Sequence, residues 1–176
     1  MIEAKLLGRN AIGVDINSEA VKLSNTNLNF TCQEKSKIFT KQGNASNLSF
    51  IKNASIDLIC THPPYADIIR YSEKISGDIS HLKYEEFLRE LEQIAGESYR
   101  VLKKGGICAF MIGDMRKKGY VLPLGMSSMQ KFVHTGFKLK EIIIKEQHNC
   151  KSAEYWENIE KAFLMLAHEY IFVLEK

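Results

Sequence analysis

The chain is 176 residues long, 45% hydrophobic and 26% charged, which suits one ordinary globular domain, 1–176, able to bury a core. Its formal charge of +3 and pI of about 8.6 are mildly basic, compatible with a polyanionic partner but far from the dense positive field of a nucleic-acid coat. Cys32, Cys60, Cys108 and Cys150 form no CxxC pair, so neither a zinc ribbon nor a disulfide framework is predicted, and a reduced cytoplasmic setting is expected.

The opening MIEAKLLGRN lacks the apolar core of a secretory signal, and no window of the chain approaches the ~20 apolar residues of a membrane helix. Ile2 to Leu7 reads as the tail of a helix stopped by Gly8. AIGVDI follows as a short strand, and Asn17-Ser18 cap a second helix whose apolar stripe is predicted from Ala20, Leu23 and Leu28. KIFTKQGNASNL holds a brief strand running into a polar turn. SIDLIC, residues 55–60, is dense enough in Ile and Leu to predict a buried parallel strand.

Phe87, Leu91, Ile94, Tyr99 and Leu102 recur at near-helical spacing, and Gly105-Gly106 break that pattern before the strand ICAFMIG. A helix from Leu124 to Thr135, an amphipathic strand from Phe137 to Glu146 and a terminal strand from His168 to Leu174 complete the chain. The alternation predicts an α/β fold, a mostly parallel sheet with helices on both faces that ends in an antiparallel hairpin.

Ligands of open α/β sheets bind beyond the carboxyl ends of the strands. Asp15 stands at one such end, either as an acceptor for ribose hydroxyls or as a carboxylate of the helix N-cap region. Asn44, after the next strand, either reads an adenine edge or serves its turn. Asp114 follows ICAFMIG, and THPPY follows SIDLIC. Pro63 and Pro64 each fix φ near ~ −65° and donate no ladder hydrogen bond, so the exit of that strand is rigid. Tyr65 adds a flat ring suited to stacking on a base. Arg116, Lys117 and Lys118 are either phosphate contacts or a solvated loop; Tyr155 and Trp156 are either an aromatic contact or packing; His148 and Cys150 make no convincing metal set.

DLICTHPPY resembles the key motif of the S-adenosylmethionine-dependent DNA amino-methyltransferases, which modify cytosine N4 or adenine N6. In that family a strand ends in Asp, Asn or Ser followed by Pro-Pro-Tyr or Pro-Pro-Phe, and a Thr in front is closer to the TSPPY of cytosine-N4 enzymes. LLGRNAIGVDINSEAV, RVLKKGGICAFMIGD and HEYIFVLEK resemble further family segments in the expected order. The resemblance implies a Rossmann-like sheet, S-adenosyl-L-methionine as cofactor, and DNA as partner, with a base flipped from the duplex. It implies catalytic roles for His62, Pro63, Pro64 and Tyr65, and a cofactor site at Asp15, Ile16, Asn44, Ala45 and Thr61. The Pro63 carbonyl and the side chain before it would accept the amino N–H bonds, while Tyr65 stacks on the base.

Two departures stand out. His62 occupies the Asp, Asn or Ser position, and an imidazole accepts only through an unprotonated nitrogen. The family's first strand and its FxGxG turn, expected just before MIEAKLLGR, have no counterpart here. The sequence is therefore read as N-terminally incomplete, or as taking the strand from a second chain or through self-association. Cytosine N4 is favoured over adenine N6; a noncatalytic binding or assembly subunit and an RNA-directed enzyme are the alternatives.

Overall fold

The computed structural model describes residues 1–73, 75–147 and 164–176. The segment QHNCKSAEYWEN, with His148, Cys150, Tyr155 and Trp156, thus lies almost wholly outside the described residues. No helix among those described is long and apolar enough to cross a membrane.

Helix α1 (Ile2–Leu6) ends as expected, with Gly8 donating to the Lys5 carbonyl and Arg9 to that of Ala4. Strand β1 (Ala11–Asp15) leads through Asn17, whose side chain accepts the Glu19 N–H, into helix α2 (Ser18–Asn27). Strand β2 (Ile38–Gln42) pairs with β1 in parallel, placing Asp15 opposite Gln42. Leu28 is buried below α2, but Leu23 is 62% exposed and no residue within α2 is buried, so the three-residue stripe is not the packing face. The described residues hold α2 instead through its N-cap and its contacts with β1 and β2.

Strand β3 (Ile56–Thr61) pairs in parallel with β4 (Leu102–Ile112). It is not the fully buried strand its composition suggests: Leu58 is 56% exposed, and Asp57, Cys60 and Thr61 are also exposed. The physical reason is topological. Among the described residues, strand β3 is bonded on one side only, and β1 likewise has β2 on one side only, so the two sheets present open edges. They share a small core in which Val14, Ile56 and Ile59 pack on Leu48, Ile51 and Val101.

Helix α3 (Tyr84–Val101) buries Phe87, Leu91 and Ile94, as its spacing predicts. It stops at Val101, and the strand begins at once at Leu102, so Gly105-Gly106 lie within β4 rather than in a break before it. Strands β5 (Met115–Lys117) and β6 (Tyr120–Leu122) form a small antiparallel hairpin turned by Lys118 and Gly119, both at positive φ. Helix α4 (Leu124–His134) packs on α3.

Strands β7 (Lys138–Glu146) and β8 (His168–Glu175) are antiparallel to each other, and β8 is antiparallel to β4, giving the order β3-β4-β8-β7. The main core lies under this sheet, where the Phe110 ring stacks on Phe132 at 4.4 Å and meets Phe172 at 5.2 Å.

Candidate functional site

The predicted residues gather into two groups at the carboxyl ends of parallel strands. In the first, the Gly43 N–H donates to the Asp15 carbonyl at 2.9 Å, and Gln42 Nε2 donates to the Ile16 carbonyl at 3.2 Å. These bonds draw the ends of β1 and β2 together, so that Asp15, Ile16 and Asn44 share one rim. Asp15 is exposed; its Oδ1 accepts the Asn17 N–H at 2.8 Å, and its Oδ2 takes no protein partner among the described residues. Both readings of this carboxylate are therefore open to it at once. Asn44 Oδ1 accepts the Ser46 N–H at 2.9 Å, so part of the side chain does serve its turn. Ala45 is exposed beside it.

Sequence reasoning passed over Gly77. A Cβ placed there would stand 3.0 Å from Asn44 Nδ2 and 3.2 Å from Ile16 Cδ1, so the backbone at Gly77 rests directly on this group, and only a glycine fits at φ +86 without strain.

The second group is Thr61, His62, Pro63, Pro64 and Tyr65, running off the end of β3. Thr61 and His62 are exposed, while the prolines and Tyr65 are half-buried. Immediately after Tyr65 the chain turns sharply at Ala66, fully buried and at φ +46, a left-handed conformation that costs a non-glycine residue about 1 kcal/mol or more. The Tyr65 ring lies against Gly113 at the end of β4, where a Cβ would come within 3.0 Å of its Cε2. The His62 and Tyr65 rings meet edge-on, with centroids 5.7 Å apart.

Behind the rings stands a residue the sequence did not single out. Glu169, on β8 and only 6% exposed, accepts the Tyr65 hydroxyl through Oε1 and Lys145 Nζ through Oε2 at 2.5 Å. His62 Nε2 lies 3.2 Å from the Tyr65 oxygen and 3.9 Å from Glu169 Oε1. Burial alone would raise the Glu169 pKa, but hydrogen bonds from Lys145, Tyr65 and Gln147 outweigh it and hold the group below the ordinary carboxylate range. Burial, reinforced by the neighbouring Glu169, drives the Tyr65 phenol far above its ordinary range, so it stays protonated. The signal in sequence was HEYIFV itself, in which Glu169 is a carboxylate at the start of a strand whose later residues Ile171, Phe172 and Val173 are apolar.

Asp114 belongs to the same rim. Its Oδ1 accepts the Gly125 N–H at 2.9 Å, and its Oδ2 accepts the Tyr170 hydroxyl at 3.2 Å, with His168 Nε2 at 3.0 Å from that hydroxyl. The basic run divides: Arg116 is bonded to the carbonyls of Gly119 and Leu164, and Lys117 pairs with Asp67 at 3.4 Å. Among the described residues no hydrogen bond or ion pair links the Asp15 group to the His62 group.

The family model for DNA methylases matches residues 56–176 of this chain. The chain is 30% identical over 129 residues to the type II methyltransferase M.MjaVI of Methanocaldococcus jannaschii, with 72% of this chain and 64% of the relative covered. It is 27% identical over 117 residues to the orphan methyltransferase M.BamHII of Bacillus amyloliquefaciens, covering 65% of this chain and 39% of the relative. The chain thus spans less than two thirds of each relative's length. Among solved structures, the TTHA0409 protein of Thermus thermophilus complexed with S-adenosyl-L-methionine is similar with a TM-score of 0.55 and 26% identity, covering 76% of this chain and 51% of that one. The cytosine-N4-specific PvuII DNA methyltransferase shares the fold, with a TM-score of 0.60 at 21% identity over 76% of this chain and 47% of its own.

Proposed function

The chain belongs to the DNA methylase family whose model covers residues 56–176, and on that premise we propose that it takes part in S-adenosyl-L-methionine-dependent methylation of an exocyclic amino group of a DNA base, cytosine N4 in preference to adenine N6. The observation that carries this reading is the rigid segment His62-Pro63-Pro64-Tyr65 at the carboxyl end of β3, braced by Gly113 and Glu169.

The residues present fit the cofactor. Asp15 offers a carboxylate oxygen to ribose hydroxyls, Ile16 and Ala45 offer apolar surface to a planar base, Asn44 adds an amide, and Thr61 stands at the end of β3. S-adenosyl-L-methionine supplies an electrophilic methyl group on a sulfonium. The chain's own contribution is positioning and electrostatics. The amino nitrogen of a base is a weak nucleophile because its lone pair is delocalised into the ring. The Pro63 carbonyl and the His62 ring, as acceptors, draw on its N–H bonds and return electron density to nitrogen. Tyr65, its hydroxyl tethered to Glu169, cannot swing away from a base stacked on its ring. Preference for cytosine is supported by Thr61 ahead of the motif.

The partner is DNA. A second chain, or a second copy, adding a strand along the open edges of β1 and β3 is the assembly those edges accommodate. A noncatalytic DNA-binding subunit is the second reading, favoured by the imidazole of His62 in the acceptor position.

The test is transfer of labelled methyl from S-adenosyl-L-methionine to duplex DNA, with calorimetric titration of the cofactor beside it. Tyr65→Ala is expected to lose transfer while keeping cofactor affinity. Cofactor binding without transfer to any DNA would favour the noncatalytic subunit, and parallel loss of both in Tyr65→Ala would make Tyr65 structural.

A further inference from the structure

We propose that Tyr65, Glu169 and Lys145 fix the tautomer of His62, keeping a proton on Nε2 and leaving the Nδ1 lone pair as the acceptor offered to the target amino group. This rests on the functional reading above and deepens it: Glu169 and Lys145 act through Tyr65 and His62 and are positioning residues. The need for such a device follows from chemistry. A carboxylate, an amide oxygen or a hydroxyl can always accept a hydrogen bond, whereas an imidazole in the wrong tautomer would turn an N–H toward the N–H it must hold.

The hydrogen bonds have a direction that leaves little choice. Glu169 is ionised, since the bonds from Lys145, Tyr65 and Gln147 outweigh its burial. An ionised carboxylate only accepts. Its Oε2 is taken by Lys145 Nζ at 2.5 Å, and its Oε1 by the Tyr65 hydroxyl. The single hydroxyl hydrogen of Tyr65 is therefore committed to Glu169. What the phenol oxygen has left is lone pairs, and it faces His62 Nε2 at 3.2 Å with one of them. Two lone pairs cannot bond each other, so Nε2 carries the hydrogen and Nδ1 of the neutral ring is bare. The ring is half-exposed, with 48% of its side-chain surface accessible, so an incoming base can reach it. Lys145 comes from the end of β7 and Glu169 from the start of β8, paired directly across the hairpin.

The test is nitrogen NMR of the full chain labelled with 15N-histidine, which distinguishes the protonated from the bare ring nitrogen; His62 is assigned by its absence in His62→Asn. The expected result is that His62 populates Nε2–H well above the ratio of free neutral imidazole. In Glu169→Gln the amide N–H can donate to the phenol oxygen and free the Tyr65 hydroxyl for Nε2, so the ratio should fall at least several-fold or invert. In Tyr65→Phe, which keeps the ring and its packing, the ratio should return to that of free imidazole. An unchanged ratio in both variants, or Nδ1–H in the wild type, would overturn the proposal. Methyl transfer by the same proteins separates the two claims. A rate that tracks the Nε2–H fraction supports the acceptor role of Nδ1, and a full rate in Glu169→Gln with its tautomer inverted refutes that role. Tautomers that shift as expected in a chain with no transfer to any DNA uphold the network and overturn the function proposed above.

Discussion

Gly125→Ala places one methyl group into the rim beside the candidate site, and its cost can be worked out in advance. The new Cβ would fall 2.5 Å from Tyr170 Cδ2, 2.9 Å from Cε2 and 3.2 Å from Asp114 Oδ1. Tyr170 is not a flexible end that can swing aside. Its ring stacks on Phe172 with centroids 5.4 Å apart, and its hydroxyl is held by Asp114 at 3.2 Å and lies 3.0 Å from His168 Nε2. Overpacking of this kind costs about 1–3 kcal/mol. Against it stands the gain of replacing glycine in a helix, at most about 1 kcal/mol and less in the first turn, where Gly125 sits. A net loss of about 1–2 kcal/mol is expected, or roughly 2–8 °C in Tm for a chain of this size. Urea unfolding of wild type, Gly125→Ala, Tyr170→Ala and the double variant measures it. In the Tyr170→Ala background the clash is gone, and Gly125→Ala should be neutral or slightly stabilising, a coupling of about 1–2 kcal/mol. Equal cost in both backgrounds would refute the steric argument and point to backbone strain at the start of α4.

The Glu97 carboxyl is held below the ordinary carboxylate range first by its hydrogen bond from Arg100, with burial opposing and the Leu48 N–H assisting. A depressed pKa gives stability that is present above the unfolded value, about 4.3, and lost as pH falls through the folded one. Glu97→Gln is therefore expected to cost about 1–3 kcal/mol at pH 7 and progressively less below pH about 4; a gap between variant and wild type that persists in acid would contradict this. Phe110→Ala removes a ring sandwiched between Phe132 and Phe172 and should cost about 3–5 kcal/mol, read as a lower urea midpoint at unchanged m. Asn17→Ala deletes the side-chain N-cap of α2 and should cost about 1 kcal/mol, with early hydrogen exchange confined to residues 18–27.

What could be read from the sequence was what depends on near neighbours. Phe87, Leu91 and Ile94 announced α3 because helical period and burial act over a few residues, and Gly8 announced a helix end because its cap is local. The rigid THPPY exit was legible for the same reason. Leu58 was misread because apolar density says that a strand is wanted inside, not which of its edges finds a partner. Leu23 was misread because a three-residue stripe fits several helical faces equally well. Strands β5 and β6 are three residues each, too short for any period, although Lys118-Gly119 was a turn signal. Glu169 lay beyond reach altogether. It is 104 positions from Tyr65, and only the register of β8 on β4, with Tyr170 opposite Ile112, brings the two together.

That register also explains why the end of the chain can serve a site built at the end of β3. In a purely parallel sheet, every strand delivers its last residues to one rim, and its first residues go to the opposite one. Strand β8 runs antiparallel to β4, so its first residues, His168, Glu169 and Tyr170, arrive where β4 ends in Ile112, Gly113 and Asp114. Strand β7 is antiparallel to β8 and hence parallel to β4, and it brings its last residues, Lys145 and Glu146, to the same rim opposite Glu169 and His168. The terminal hairpin is thus more than an edge closure. It turns two consecutive strands so that a buried carboxylate and its lysine partner stand behind Tyr65, on rigid sheet rather than on loops. A one-residue slip of β8 would point Glu169 to the other face of the sheet and release Tyr65 and His62 together. The identity of the β8 core residues Phe172 and Leu174, both fully buried, is what forbids that slip. The orientation of the proposed acceptor is therefore set by hydrophobic packing on the strand that carries its anchor.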